Sequence, residues 1–459
     1  MNSSAVAVGP RTMKAHLILF VVSLLLISIC GKSFVGSLKP AEGQVFDFFK
    51  EWASARNYFA GAPIYSSQTD SLRKYLALKL EHPERYFDEY NTHPPAAILI
   101  GLPFAAFQYR EAQLAWNLFS LFLFGSALWL IAKELNIRFT AWAYLPFCSL
   151  LLMCDPLRQT INQGQLNCLL LFLITCCWVA DRRGLTKYAG FCAAAAATIK
   201  LYPAFLVFYF LFRKDWKTVF WFVVSCIGIT AVTLIIFRFQ AFVDYVTVVL
   251  PNLKSETNHW GNASIFAFWE RLFGETNRTI QTFLPSKPML MAGVVASSGL
   301  VLFVLACCIR KSQSRTDKDV SFGMTVSAML LISPMTWHHY FLLLALPLWL
   351  LWIDDRRSTF RRIVFYLIIC SLWISPRYVW YSTIKQNTSQ TQTAASSNVP
   401  ETKTASTWSN EKVRAQPRQS LTSLSYQFYA LLGLFFLLYR SMRNKETQTP
   451  QPISETPLP

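Results

Sequence analysis

Residues 15–35 form an apolar run long enough to cross a bilayer core of about 30 Å, and the pattern repeats down the chain. Further apolar runs lie at 114–132, 141–154, 166–180, 188–212, 216–237, 288–309, 320–332, 340–353, 363–381 and 421–439. A soluble core has no use for so many: 53% of the residues are hydrophobic and only 15% are charged, outside the range of soluble globular chains. The chain is therefore predicted to be an all-α polytopic membrane protein. A signal peptide is the alternative for 15–35. The length of the run and the lack of a clear small-x-small cleavage site favour a retained helix.

The net charge of +18 raises the question of nucleic acid. The bases stand in short clusters between apolar runs, as at Arg182, Arg183 and Lys187, or at Arg310, Lys311, Arg315 and Lys318. Membrane topology and lipid headgroups explain such clusters, and no nucleic-acid partner is expected. All eleven cysteines fall inside apolar runs, where they read as small core residues, with neither a disulfide framework nor a metal site.

Placing every basic cluster on the cytoplasmic side conflicts with a single crossing between Arg183 and Arg213. The conflict disappears if 188–212 is a pair of short helices broken at Tyr202-Pro203, with Lys200 at the outer tip. Residues 94–107, opened by Pro94-Pro95 and only about 14 residues long, suit an interfacial helix. About twelve crossings then result. Residues 1–14 are a cytoplasmic leader, 15–381 the membrane domain, and 36–111 its long first external loop with juxtamembrane helices. Residues 382–420, rich in Thr, Ser, Gln and Asn, read as a disordered external loop. The last crossing is 421–440 and a disordered cytoplasmic tail fills 441–459.

With this topology the polar motifs all face outward: Asp47 with 91–95, Asp155 to Asn167, Lys200, 258–264 and 333–340. Asp47, set among Phe46, Phe48 and Phe49, is the candidate general base, since partial burial would raise its pKa toward the working range. As an alternative it caps a helix beginning near Phe48. Lys200 follows an apolar run in which a lysine costs roughly 2.5 to 3.5 kcal/mol at mid-membrane. It should find an anion, such as a lipid phosphate, or snorkel to the interface. Of His338 and His339 one is expected in the site, since adjacent residues point in different directions. The amides of Gln163, Gln165 and Asn167 suit sugar hydroxyls or simply cap an outer turn between two helices. The sequons at Asn262 and Asn277 read as chance.

The motifs Asp47-Phe48, Ala60 to Tyr65, His93-Pro94-Pro95, Gln163 to Asn167, Ile199-Lys200-Leu201-Tyr202-Pro203, Gly261 to Ser264, and Ser333-Pro334 with Trp337-His338-His339 carry a resemblance. The chain resembles glycosyltransferase family 87, integral enzymes of the GT-C superfamily that include polyprenol-phosphate-mannose-dependent α-mannosyltransferases. The resemblance implies a GT-C fold, a polyprenyl-phosphate sugar donor, a lipid or glycan acceptor, and transfer on the outer face of the cytoplasmic membrane. It also implies Asp47 as catalytic base, with Lys200 and His339 on the donor phosphate. His93, Gln163, Gln165, Asn167, Tyr202, His259, Asn262, Trp337 and His338 complete the expected substrate-binding set. Family members commonly carry an acid and two histidines after the motif's Trp. Here His338 stands for the acid, His339 matches the first histidine and Tyr340 stands for the second. No metal or other cofactor is expected, and no Gly-rich phosphate loop suggests a nucleotide-sugar donor. A transporter of lipid-linked saccharides is the rival reading, but no repeated halves appear.

Overall fold

The computed structural model describes residues 10–78, 89–137, 140–252, 261–276, 282–353, 358–379 and 417–443. The leader through residue 9, His82, His259, the sequon at Asn277, residues 382–416 and the tail beyond Arg443 lie outside the described residues.

Every element among the described residues is helical. The apolar α1 (Pro10–Gly36) leads into the first loop, which holds α2 (Phe48–Phe59), α3 (Gln68–Leu76) and α4 (Pro95–Gly101), the last with proline at its first turn, where a missing N–H costs nothing. Next come α5 (Tyr109–Glu134), α6 (Ala141–Met153), α7 (Asp155–Gln163), α8 (Asn167–Arg182) and α9 (Thr186–Ile199). The chain breaks at Lys200, whose backbone is extended, makes a tight turn over Tyr202–Leu206 and resumes as α10 (Val207–Phe212).

The longest helix, α11 (Trp216–Asp244), starts at the Asp215 cap and is interrupted at Arg238, where φ is 63°. It runs on through a wide turn over Tyr245–Val249 into α12 (Leu250–Asn252). That final stretch folds over the first loop, packing Phe237, Ala241, Tyr245 and Val249 against Ile64, Tyr65 and Ile98.

The remaining helices are α13 (Ile265–Phe273), α14 (Lys287–Lys311), α15 (Arg315–Ile332), α16 (Ala345–Trp352), α17 (Thr359–Trp373), the single turn α18 (Pro417–Leu421) and α19 (Tyr426–Arg443). A Ser314–Asp317 capping box opens α15, closing two backbone donors reciprocally. Residues 417–420, expected within the disordered loop, form the helical turn α18, with Ser420 buried.

Among the described residues, five helical stretches are long and apolar enough to cross a membrane, or six if α7 and α8, bent by 118°, count as one. The expected twelve is thus not reached by length, because α9, α10 and α16 are short pieces. Large apolar side chains on α1, α11 and α14 face outward, Ile235 being 81% exposed, the reverse of a soluble surface and suited to lipid. Inside, α9 packs between α8 and α11, α5 lies on α8, α1 on α6, and α19 on α15 and α17.

The bundle has two polar ends, separated by the 16 residues of α8, roughly 24 Å. At one end the carboxylates meet guanidinium groups: Glu134 pairs with Arg183, Arg182 and Arg315, Asp319 with Arg182 at 2.7 Å, and Asp181 with Arg213 at 2.7 Å. The other end holds Asp47, Gln165 and Lys200.

Candidate active site

Two close approaches build this end. The chain leaves α7 through Gly164 at φ +64°, and a Cβ there would stand 2.6 Å from the Cβ of Phe48. Only glycine takes that conformation cheaply and admits that neighbour. Phe48 stacks on Trp116, whose indole donates to the Gly164 carbonyl at 2.8 Å. The turn between α7 and α8 is therefore pinned against the start of α2. Gly101 of α4 lies against the Glu51 backbone of α2, where a Cβ would come within 2.5 Å of its oxygen.

Pinned in this way, Gln165 reaches Asp47. Its amide donates to Oδ2 of Asp47 at 2.5 Å, while its carbonyl accepts from Lys200 Nζ at 3.2 Å. One neutral amide thus spaces an acid from a base. Asp47 also faces Lys50 at 3.5 Å, and its side chain keeps 34% of its surface exposed, open to an incoming molecule. It occupies the cap position of α2 without making the capping hydrogen bond, so the carboxylate is free for other work. Burial pushes its pKa up, but the charges of Lys50, His339 and His93 and the hydrogen bond from Gln165 outweigh burial and hold it below the ordinary value. The upward shift expected from the surrounding phenylalanines is corrected by these cations.

Lys200 is buried and makes no ion pair among the described residues. Besides Gln165, it has the ring of Tyr340 at 4.7 Å, and Tyr340 stacks on Tyr202 at 5.1 Å. The Tyr202 hydroxyl is buried without a hydrogen-bond partner, as is Nε2 of His339. The 338–344 turn that carries His339 is held through its backbone: the His339 carbonyl accepts from Asn167 at 3.3 Å and from Thr160 at 3.5 Å.

Of the residues expected from sequence, Asp47, Gln165, Lys200, His339 and Tyr202 come together here. His93 joins through Glu51, which receives its Nδ1. Asn167 serves the scaffold, since its amide is spent on the His339 carbonyl and Thr160. Gln163 lies at the end of α7 with its carbonyl oxygen buried and unpartnered. Asn262 ties its own loop to the next, donating to the Pro334 carbonyl and accepting from Ser264 and Thr336.

Trp337 is half-buried against the core. His338 turns to a separate cluster, with Nδ1 at 2.6 Å from the Gln427 amide and Nε2 at 2.8 Å from Asp155, itself paired with Arg158. The segment from Asp155 to Gln163, expected as a turn, is the helix α7. Glu51 was missed, although it lies one helical turn from Asp47, the spacing that puts two side chains on one face. Among the described residues no set of three or more His, Cys, Asp or Glu side chains could hold a metal ion.

Comparison with known proteins adds a name to this geometry. The profile of glycosyltransferase family 87 matches residues 91–334, more than half of the chain. The chain belongs to glycosyltransferase family 87. The match spans Gln165, Lys200 and Asn262 but neither Asp47 nor His339, so the last two rest on geometry.

This family 87 protein is similar to the polyprenol-phosphate-mannose-dependent alpha-(1-2)-phosphatidylinositol pentamannoside mannosyltransferase of Mycolicibacterium smegmatis, at 23% identity over 57% of this chain and 60% of that one. It is also similar to the polyprenol-phosphate-mannose-dependent alpha-(1-2)-phosphatidylinositol mannoside mannosyltransferase of the same organism, at 23% identity over 62% and 64%. The alignments span about three fifths of the length of these relatives. Among solved structures, ArnT from Cupriavidus metallidurans bound to undecaprenyl phosphate aligns with a TM-score of 0.36 and 16% identity, over 94% of this chain and 78% of that one.

Proposed function

We propose that this membrane glycosyltransferase has a GT-C fold and moves a hexose, mannose in the first instance, from a polyprenyl-phosphate donor to a lipid or glycan acceptor. Transfer takes place on the outer face of the cytoplasmic membrane, in a bundle of about twelve crossings. The observation that carries the reading is the line Asp47, Gln165, Lys200: a partly exposed carboxylate and a buried cation, held apart by one amide. The relatives' names supply the donor class and the sugar. The basic residues gathered at the opposite end of the bundle favour the topology.

In this reading Asp47 accepts the proton of the attacking hydroxyl as that oxygen bonds to the anomeric carbon. The bond from that carbon to the phosphate oxygen breaks with its electron pair, and the charge gathers on the phosphate, where Lys200 and the free Nε2 of His339 receive it. His93 and Gln163 line the acceptor side. A lipid phosphate is already a competent leaving group, so no nucleotide or metal is required.

The test is transfer of labelled mannose from polyprenyl-phosphate mannose to a lipid extract, in membranes carrying the wild-type protein or Asp47→Asn. Loss of at least about 10²-fold is expected with donor binding kept. Equal rates would remove Asp47 from the mechanism. Movement of the lipid across sealed vesicles without sugar transfer would favour a transporter.

A further inference from the structure

A buried lysine is normally neutralised by a carboxylate, and at the other end of the bundle the partly buried guanidinium groups of Arg182 and Arg213 are paired in this way. Lys200 is treated differently. Its ammonium touches a neutral carbonyl at 3.2 Å and lies 4.7 Å from the centre of the Tyr340 ring. The ring is backed by Tyr202 on one side and meets the His339 ring edge to face at 4.9 Å, so it is fixed by two aromatic neighbours.

We propose that Tyr340 is a positioning residue for the donor phosphate: its ring face holds the Lys200 ammonium in place by cation–π attraction without neutralising it. The quadrupole of an aromatic ring attracts a cation but carries no net charge. A carboxylate in the same place would hold Lys200 as firmly and cancel the charge that an arriving phosphate needs. The ring therefore leaves the ammonium's charge uncancelled in a dry site, where it acts most strongly on a phosphate. The face of the ring does this, and the hydroxyl is dispensable.

The inference rests on Lys200 being the phosphate site, and the test separates the two. Binding of polyprenyl phosphate without sugar is measured on purified protein in detergent, for wild type, Tyr340→Phe, Tyr340→Leu, Lys200→Met and the double variant Lys200→Met/Tyr340→Leu, with thermal melting as a check on folding. Tyr340→Phe is expected to bind within about twofold of wild type and Tyr340→Leu about tenfold more weakly, with no further loss when Tyr340→Leu is added to Lys200→Met. If Lys200→Met binds like wild type, the donor reading of Lys200 fails, and this inference fails with it. If Lys200→Met is impaired but Tyr340→Phe and Tyr340→Leu bind alike, or the double variant loses more than Lys200→Met alone, the ring does not act through Lys200 and only this inference is overturned. Should Tyr340→Leu fail to fold, Tyr340→Trp and Tyr340→Phe against Tyr340→Met make the same comparison.

Discussion

The two polar ends of this bundle are made of similar residues and are put together in opposite ways. At the Glu134 end, three carboxylates are met by four guanidinium groups, and Asp319 also receives the Trp178 indole at 2.9 Å. At the Asp47 end, a lysine is buried against an amide and a ring, and a histidine nitrogen and a tyrosine hydroxyl are buried without partners. A network in which every carboxylate is met by a guanidinium group holds helices together and keeps no carboxylate back for a ligand. One that is left short of counter-charge costs stability and gains an appetite for an anion. The lesson is that the quality of pairing, more than the presence of charge, tells a fastening from a site.

The contrast breaks most sharply under charge removal. Arg182→Leu leaves Asp319 buried without its partner, its side chain being only 6% exposed, and should lower stability by about 3 to 5 kcal/mol. Melting in detergent would register the loss, while the protein that remains folded should transfer sugar at the wild-type rate. Lys200→Met, at the open end, should reverse both results: transfer falls by about 10²-fold and the melting temperature holds or rises, because a buried, unneutralised cation has been removed. If Lys200→Met destabilised as much as Arg182→Leu, the two ends would be alike and the comparison would fail.

The smallest effect concerns acidity. Asp47 is held below the ordinary aspartate value of 3.8, so activity that needs its ionised form is complete at neutral pH and is lost only as pH falls through that lowered value. Lys50→Met removes the strongest of the opposing charges, raises the carboxyl and so moves the acid limb of the transfer rate toward higher pH. An unmoved limb would mean that Lys50 does not act on Asp47.

Much of the frame was legible in the residues. The long runs became α1, α5, α11 and α14 because length and continuous apolarity leave few alternatives. The break at Tyr202-Pro203 followed from charge placement and proline chemistry together. Asp47, Gln165 and Lys200 were each singled out, and chain order put them far apart, but the motif positions shared one predicted face of the membrane. What stayed hidden was pairing. Neither Glu51 meeting His93 nor His338 meeting Asp155 and Gln427 has any local signal, because such contacts depend on how helices lie against each other. The direction of the Asp47 shift was misread for a related reason: three phenylalanines beside it were weighed, and a lysine one turn away was not.

The hydrogen bond from Gln165 to Asp47 spans 118 residues of sequence, and that from Asn167 to the His339 carbonyl spans 172. During synthesis the chain emerges in order, and Asp47 is made long before His339 exists. Ribosome-bound intermediates and fragments cut before the 338–344 turn therefore lack His339, so the capacity for chemistry arrives late and all at once.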